Sequence, residues 1–382
     1  MTTRHLLALA ACLISTSQLQ AENLNLNWAN RKIQLTVQRK NSDAAIPTGI
    51  SVRRGTNEMA VVCDDHLVRI KDKRNGKLIR IFETHSDWIK IAVFTPNGQQ
   101  LFTAGSDHAI ISWNPENEHD FRRFAKEDRA IEGLTIDNNG EFLATVGFNN
   151  KLNIYDISAR KLVRTVECPC NDMRSIAISP NNDLIAVGGR SGMLRVFNLK
   201  NGTKICDIQS HKKRIRDLVF INQNSIVSCS DDMTVMKADI LSQKSSLVIR
   251  ENTKFYSLAH LGGDQVAVGS SDNLIRILDT RQNVEIGSLK GHKGTVCELV
   301  VDGDELISGS FDTQIRIWEI DDNFVSVPAV RVSQKPNNSF RAPSANTQQT
   351  FQPKSSFVVP SAGKKAPEAK AVNFSSGFQI GK

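Results

Sequence analysis

A short polar turn that recurs seven times at near-constant spacing constrains this 382-residue chain more than any single motif in it. Ser308-Gly309-Ser310-Phe311-Asp312-Thr313-Gln314-Ile315-Arg316-Ile317-Trp318-Glu319 reads as a strand, a polar turn and a second strand. Its turn residue recurs as Asp65, Asp107, Asn149, Ser191, Asp232, Asp272 and Asp312, at spacings of 42, 42, 42, 41, 40 and 40 residues. Three residues after each stands Val68, Ile110, Leu152, Leu194, Val235, Ile275 or Ile315, as expected of a strand with one face in a core. Between the strand patterns lie the hairpin dipeptides Asn75-Gly76, Asn97-Gly98, Asn139-Gly140 and Asn201-Gly202. A four-stranded unit has two apolar faces and cannot bury both alone, so a closed radial stack of such units is the expected solution. Closure is also readable in the pattern. The seventh unit ends at Ile320 without an outer strand, and Lys32-Ile33-Gln34-Leu35-Thr36-Val37 is expected to supply it.

Six residues after each turn residue stands Lys71, Trp113, Tyr155, Phe197, Ala238, Leu278 or Trp318, followed by Asp72, Asn114, Asp156, Asn198, Asp239, Asp279 or Glu319. With Gly291-His292, these degenerate Trp-Asp dipeptides make residues 32–320 resemble the WD40 repeat family. The resemblance implies an all-β fold, a seven-bladed β-propeller of WD40 type. It also implies a hydrogen-bonded tetrad that braces a blade, made of a His before the first strand, a Ser or Thr on the second, the turn Asp and the Trp. Two blades match it in full: His85, Thr103, Asp107 and Trp113, and His292, Ser308, Asp312 and Trp318. Such sets mimic Ser-His-Asp catalytic triads. Their recurrence at one register favours a structural role. Blades four and five depart from the pattern, with Ser191 for Asp and Ala238 for Trp, and weaker bracing is expected there. His211 keeps only the His of the Gly-His signature.

In this family partners usually meet the face formed by the loops leading into each first strand and by the Asp-bearing turns. On that face the resemblance places Trp88, Arg129, Arg174, Lys213, Arg214, Lys254, Phe255 and Lys293 as candidate partner-binding residues. Trp and Arg are the residue types that most often dominate interface energetics. Solvated loop charge is the plain alternative for any one of them.

The net charge of +8 suggests nucleic acid until it is divided. Residues 323–382 hold eight Lys/Arg and one acid, so the repeat region is close to neutral. That argues against nucleic acid as a partner; a steep fall of affinity with salt would mark it. Residues 321–382, rich in Pro, Ser, Asn, Gln and Lys, are expected to be a disordered basic tail. Its Ser339-Phe340, Thr350-Phe351 and Ser356-Phe357 steps could serve as a second protein or anionic-surface contact, or be incidental. At the other end, Arg4, the apolar run Leu6 to Ile14 and Leu19-Gln20-Ala21 read as a signal peptide over residues 1–21, with 22–31 a lead-in. This predicts a periplasmic or secreted protein; an uncleaved leader on a cytoplasmic protein is the alternative. Leu9-Ala10-Ala11-Cys12 also resembles a lipoprotein box, but too few apolar residues precede the Cys. No other segment approaches the length of a membrane span.

Six cysteines follow the leader: Cys63, Cys168, Cys170, Cys206, Cys229 and Cys297. Several lie in apolar strand patterns, so free core thiols are expected. Cys168-Pro169-Cys170 lacks zinc spacing. The chain shows no metal cluster, cofactor motif or paired-carboxylate motif. The expected function is therefore a non-catalytic scaffold that binds a protein or peptide on the propeller face. A propeller hydrolase or lyase with a site at the central channel is the alternative.

Overall fold

The computed structural model describes residues 30–34, 45–170 and 172–320. The leader and the tail lie outside the described residues. The described residues form seven four-stranded antiparallel sheets and no helix, a seven-bladed propeller. The innermost strands are Pro47–Val52, Ile89–Phe94, Ile131–Ile136, Met173–Ile178, Ile215–Phe220, Phe255–Gly262 and Val296–Asp302. In blades one to six the four strands follow in chain order.

Blade seven is completed from the other terminus. Asn30–Gln34 pairs antiparallel with the third strand, Gln314–Glu319, in a register running from Asn30 against Trp318 to Gln34 against Gln314. The strand thus begins two residues before the expected Lys32; residues 35–37 are outside the described set. This pairing removes an edge that would otherwise be open. The inner strands of blades seven and one also pack together, so the ring closes.

The turn residue is Asp, Asn or Ser for a local reason. In all seven blades its side chain accepts the N–H two residues on, at 3.0–3.4 Å. This fixes the hairpin between second and third strands. The residue between donor and acceptor has a positive φ in six blades, from 64° at Thr313 to 71° at Asn273. In blade four that residue is Gly192, where a Cβ would stand 2.2 Å from the His211 carbonyl oxygen.

The core lies between blades. One cluster joins Val62, Ile70 and Phe82 of blade one to Ile89, Leu101 and Trp113 of blade two, with Phe82 stacked on Trp113 at 4.9 Å. Stacking of this kind at each junction buries what a lone sheet would expose. The six described cysteines are free thiols, five of them buried and Cys297 partly so.

Candidate functional site: braced blades and the channel mouth

Two blades hold the hydrogen-bond geometry of the tetrad. In blade two His85 Nδ1 meets Asp107 at 2.8 Å, His85 Nε2 meets Thr103 Oγ1 at 2.7 Å, and Trp113 Nε1 donates to the same hydroxyl at 2.8 Å. In blade seven His292 lies 3.1 Å from Asp312 and 2.7 Å from Ser308, whose hydroxyl accepts from Trp318 at 2.9 Å. Burial alone would raise the Asp107 carboxyl. The His85 bond and the N–H groups of Ala109 and Ser86 outweigh it and hold the carboxyl below its usual range. Thr103 and Ser308 are wholly buried, so neither hydroxyl can reach a substrate.

The remaining blades are braced by other chemistry. Blade five keeps three members, with His211 Nε2 2.9 Å from Ser228, His211 Nδ1 3.2 Å from Asp232, and Thr234 2.9 Å from the same ring. Its bracing is thus fuller than Ala238 suggested. In blade three Glu127 occupies the His position, accepting from Thr145 and, at 3.0 Å, from the Tyr155 hydroxyl. Burial and the neighbouring Glu127 push the Tyr155 phenol well up, keeping it a donor. In blades one and six an Arg four residues after the turn binds the turn Asp with both arms: Arg69 with Asp65, and Arg276 with Asp272 at 2.6 and 3.1 Å. Blade four has the Arg, Arg195, but Ser191 in place of the Asp.

The loops and turns share one face. In every blade the residue before the turn residue donates its N–H to the loop that leads into the inner strand, as in Ser106 to Trp88 at 2.8 Å, Asp231 to Arg214 at 3.0 Å and Ser271 to Lys254 at 2.9 Å. Trp88, Arg129, Lys213, Lys254 and Lys293 are exposed on these loops, and Arg174 and Arg214 are half-buried. Phe255 is a correction. It is fully buried against Val235 and Leu278, because the first residue of each inner strand points into the core; Ile89, Ile131, Ile215 and Val296 are its equally buried counterparts. A slip of one residue in a strand reverses the side-chain direction. The surface aromatic of blade six is its neighbour, Tyr256.

Tyr256 belongs to a ring that the sequence did not announce. Each inner strand carries a β-bulge at its second residue, which leaves Thr48, Lys90, Glu132, Arg174, Arg216, Tyr256 and Cys297 out of register. Bulges re-aim side chains. All seven line one cavity of about 340 Å³ at the propeller axis. Around it the cations lie over aromatic rings: Lys90 on Trp88 at 4.8 Å, Arg174 on Phe148 at 4.8 Å and Arg216 on Tyr256 at 5.0 Å. Phe311 meets Tyr256 edge-on at 6.5 Å. Trp88, Phe148 and Phe311 remain 48%, 41% and 50% exposed, unusual for large aromatics. Acidic partners fix the arginines: Arg174 bonds Glu132 at 2.5 Å and Asp172 at 2.7 Å, and Arg216 bonds Asp231 at 2.8 and 3.0 Å.

Below the ring, two carboxyl groups are enclosed in the channel wall. Asp217 accepts from Leu258 N at 2.8 Å, linking blade five to blade six, and from Ser175 Oγ at 3.0 Å, linking it to blade four. Burial pushes its carboxyl up to about 6, and burial likewise raises Glu298 far above its usual range. Among the described residues no group of three or more His, Cys, Asp or Glu is arranged to hold a metal ion. Nor is any helix there long and apolar enough to cross a membrane.

The family model described as WD domain, G-beta repeat matches residues 76–114, 160–198 and 283–319, ending one residue past the third strand of blade two and at the last residue of the third strands of blades four and seven. The chain is a WD-repeat propeller. A serine-threonine kinase receptor-associated protein of Dictyostelium discoideum is 23% identical over 263 residues, 67% of this chain and 88% of that protein. U3 small nucleolar RNA-associated protein 4 of Saccharomyces cerevisiae is 24% identical over 280 residues, 68% of this chain and 36% of that one. E3 ubiquitin-protein ligase COP1 of Pisum sativum is 26% identical over 208 residues, 50% of this chain and 31% of the ligase. The propeller thus spans most of the first relative and about a third of the other two.

Proposed function

We propose that this WD-repeat propeller is a non-catalytic scaffold that holds a protein or peptide across the channel-mouth face. The observation that carries the reading is the trio of exposed aromatics, Trp88, Phe148 and Phe311, set around a ring of cations already fixed in place. Rigid aromatic and Arg anchors lose little entropy on binding and are the residues that dominate interfaces. The names of two relatives, one receptor-associated and one RNA-associated, fit an assembly role. A catalytic reading finds less support here. The His–Asp pairs sit against hydroxyls that no substrate can reach, and the ring itself offers a partly buried thiol, Cys297, that burial pushes far above the usual range. Export to the periplasm or medium is part of the proposal and rests on residues 1–21 alone; a second contact through the tail rests on its Phe steps.

The test is binding by the full chain carrying Phe148→Ala and Phe311→Ala together. Proteins that co-purify with the wild type from native extract should be lost while the melting temperature stays unchanged. Retention of the same proteins would remove the face from the account. Hydrolysis of generic ester, phosphate or glycoside substrates by the pure protein would instead favour the enzyme.

A further inference from the structure

In blades four to seven the acids on the loops and turns of the channel-mouth face are paired, and the exposed cations are not. Asp172 is clamped between Arg174 at 2.7 Å and Arg214 at 2.5 Å, Asp231 binds Arg216 at 2.8 Å, and Asp272 binds Arg276 at 2.6 Å. Asp232 and Asp312 bind His211 and His292 and accept the N–H groups of Lys212 and Lys293. Glu251, half-buried, lies in the field of Arg276. The cations of the same segments behave differently. Arg190, Lys212, Lys213, Lys254 and Lys293 are exposed, and among the described residues their side chains have no hydrogen bond or ion pair. Five free cations therefore project from an arc of four blades whose acids are tied into the fold. The loops and turns of blades one to three add no such excess, because Asp64, Asp87 and Asp128 outnumber Arg129 there.

We propose that this arc takes an acidic segment of a partner protein, with the edge-on pair Phe311 and Tyr256 as its apolar anchor at the channel mouth. The inference rests on the reading of this face as the binding face, and it names the chemistry of what the face holds. One exposed lysine gains little from one carboxylate in water. Several on one arc set a positive potential that steers an acidic chain and fixes its register. Apart from Glu251, an incoming carboxylate meets no unpaired acid of its own sign there.

Single-stranded nucleic acid would need open aromatic rings along the cationic track, on which successive bases stack. At the mouth, Trp88, Phe148 and Tyr256 already carry Lys90, Arg174 and Arg216 on one face. Phe311 is the ring there with no cation over it among the described residues, and one ring does not make a stacking track.

The test measures, by fluorescence anisotropy with the full chain, the affinity of a labelled Glu-rich peptide, of its Gln counterpart and of an oligouridine of similar length. The Glu-rich peptide should bind more tightly than the other two and should weaken as salt screens the arc. Lys213→Glu, Lys254→Glu and Lys293→Glu together should lower its affinity about tenfold or more and leave the melting temperature unchanged. Lys77→Glu, Lys161→Glu and Lys244→Glu make the same change of charge at exposed sites beside the turns between third and outer strands, and should change the affinity less than about twofold. Tighter binding of the oligouridine would overturn the proposal in favour of nucleic acid. No preference for the Glu-rich peptide over its Gln counterpart, or equal losses in the two triple variants, would overturn it outright. If proteins captured from native extract are lost with Phe148→Ala and Phe311→Ala but kept by the Lys213, Lys254 and Lys293 variant, the face stands and its acidic partner falls.

Discussion

Replacing Asp312 by Ala should destabilise blade seven. The carboxylate accepts from His292 Nδ1 at 3.1 Å, from Lys293 N at 2.7 Å and from Gln314 N at 3.0 Å. His292 is buried, and its other nitrogen is already committed to Ser308. Truncation leaves the Nδ1 side without a partner, a loss of about 1–3 kcal/mol. Lys293 is exposed and its N–H can turn to water, so the two amides add about 1 kcal/mol together. The sum, about 2–4 kcal/mol, corresponds to a fall in melting temperature of roughly 4–10 °C. Asp312→Asn keeps one accepting oxygen and should lose less than half as much. Thermal melts of the three proteins at one scan rate decide it. If Asp312→Ala melts with the wild type, the brace is not structural and the His-Asp-Ser set needs another explanation.

Two further outcomes are expected from the structure and a third from the sequence. Burial raises the Asp217 carboxyl to about 6 from the ordinary 3.8, so between these values the native state holds a proton the unfolded chain has released. Stability should therefore fall by about 3 kcal/mol as pH rises from about 4 to 6. Asp217→Asn cannot ionise, and a wild-type profile parallel to that of the variant over this range would contradict the assignment. Deleting residues 22–38 removes the strand paired with Gln314–Glu319 and should yield aggregated or early-melting protein, whereas deletion from residue 323 should not; size exclusion and melts of both truncations compare them. Intact-mass measurement of protein from its native host should give a chain beginning at Glu22; a retained Met1 to Ala21 would end the export proposal.

The blade count and the ring closure were legible because a turn that caps its own hairpin must keep Asp, Asn or Ser at a fixed place in every repeat, whatever else drifts. The two tetrads were legible for the same reason. Less of the bracing could be read elsewhere, since Glu127 with Tyr155 and the Arg69 and Arg276 pairs reach the same end with different residues. An Arg four residues after the turn in blades one, four, six and seven was the available signal. The channel-mouth ring was hidden by its cause. A bulge shifts the alternation of a strand by one, so a two-residue period read through Phe255 and Tyr256 assigns the wrong one to the surface.

Site-specific photo-crosslinking tests the central claim, that the channel-mouth face is the binding face, most directly. A photoreactive phenylalanine analogue replaces Phe148 or Phe311 on that face, or Leu241, which is 74% exposed in the turn between the third and outer strands of blade five. On irradiation in native extract, the account predicts the same crosslinked protein from positions 148 and 311 and none from 241. Crosslinking from 241 alone would contradict it and move the binding surface to the opposite end of the propeller.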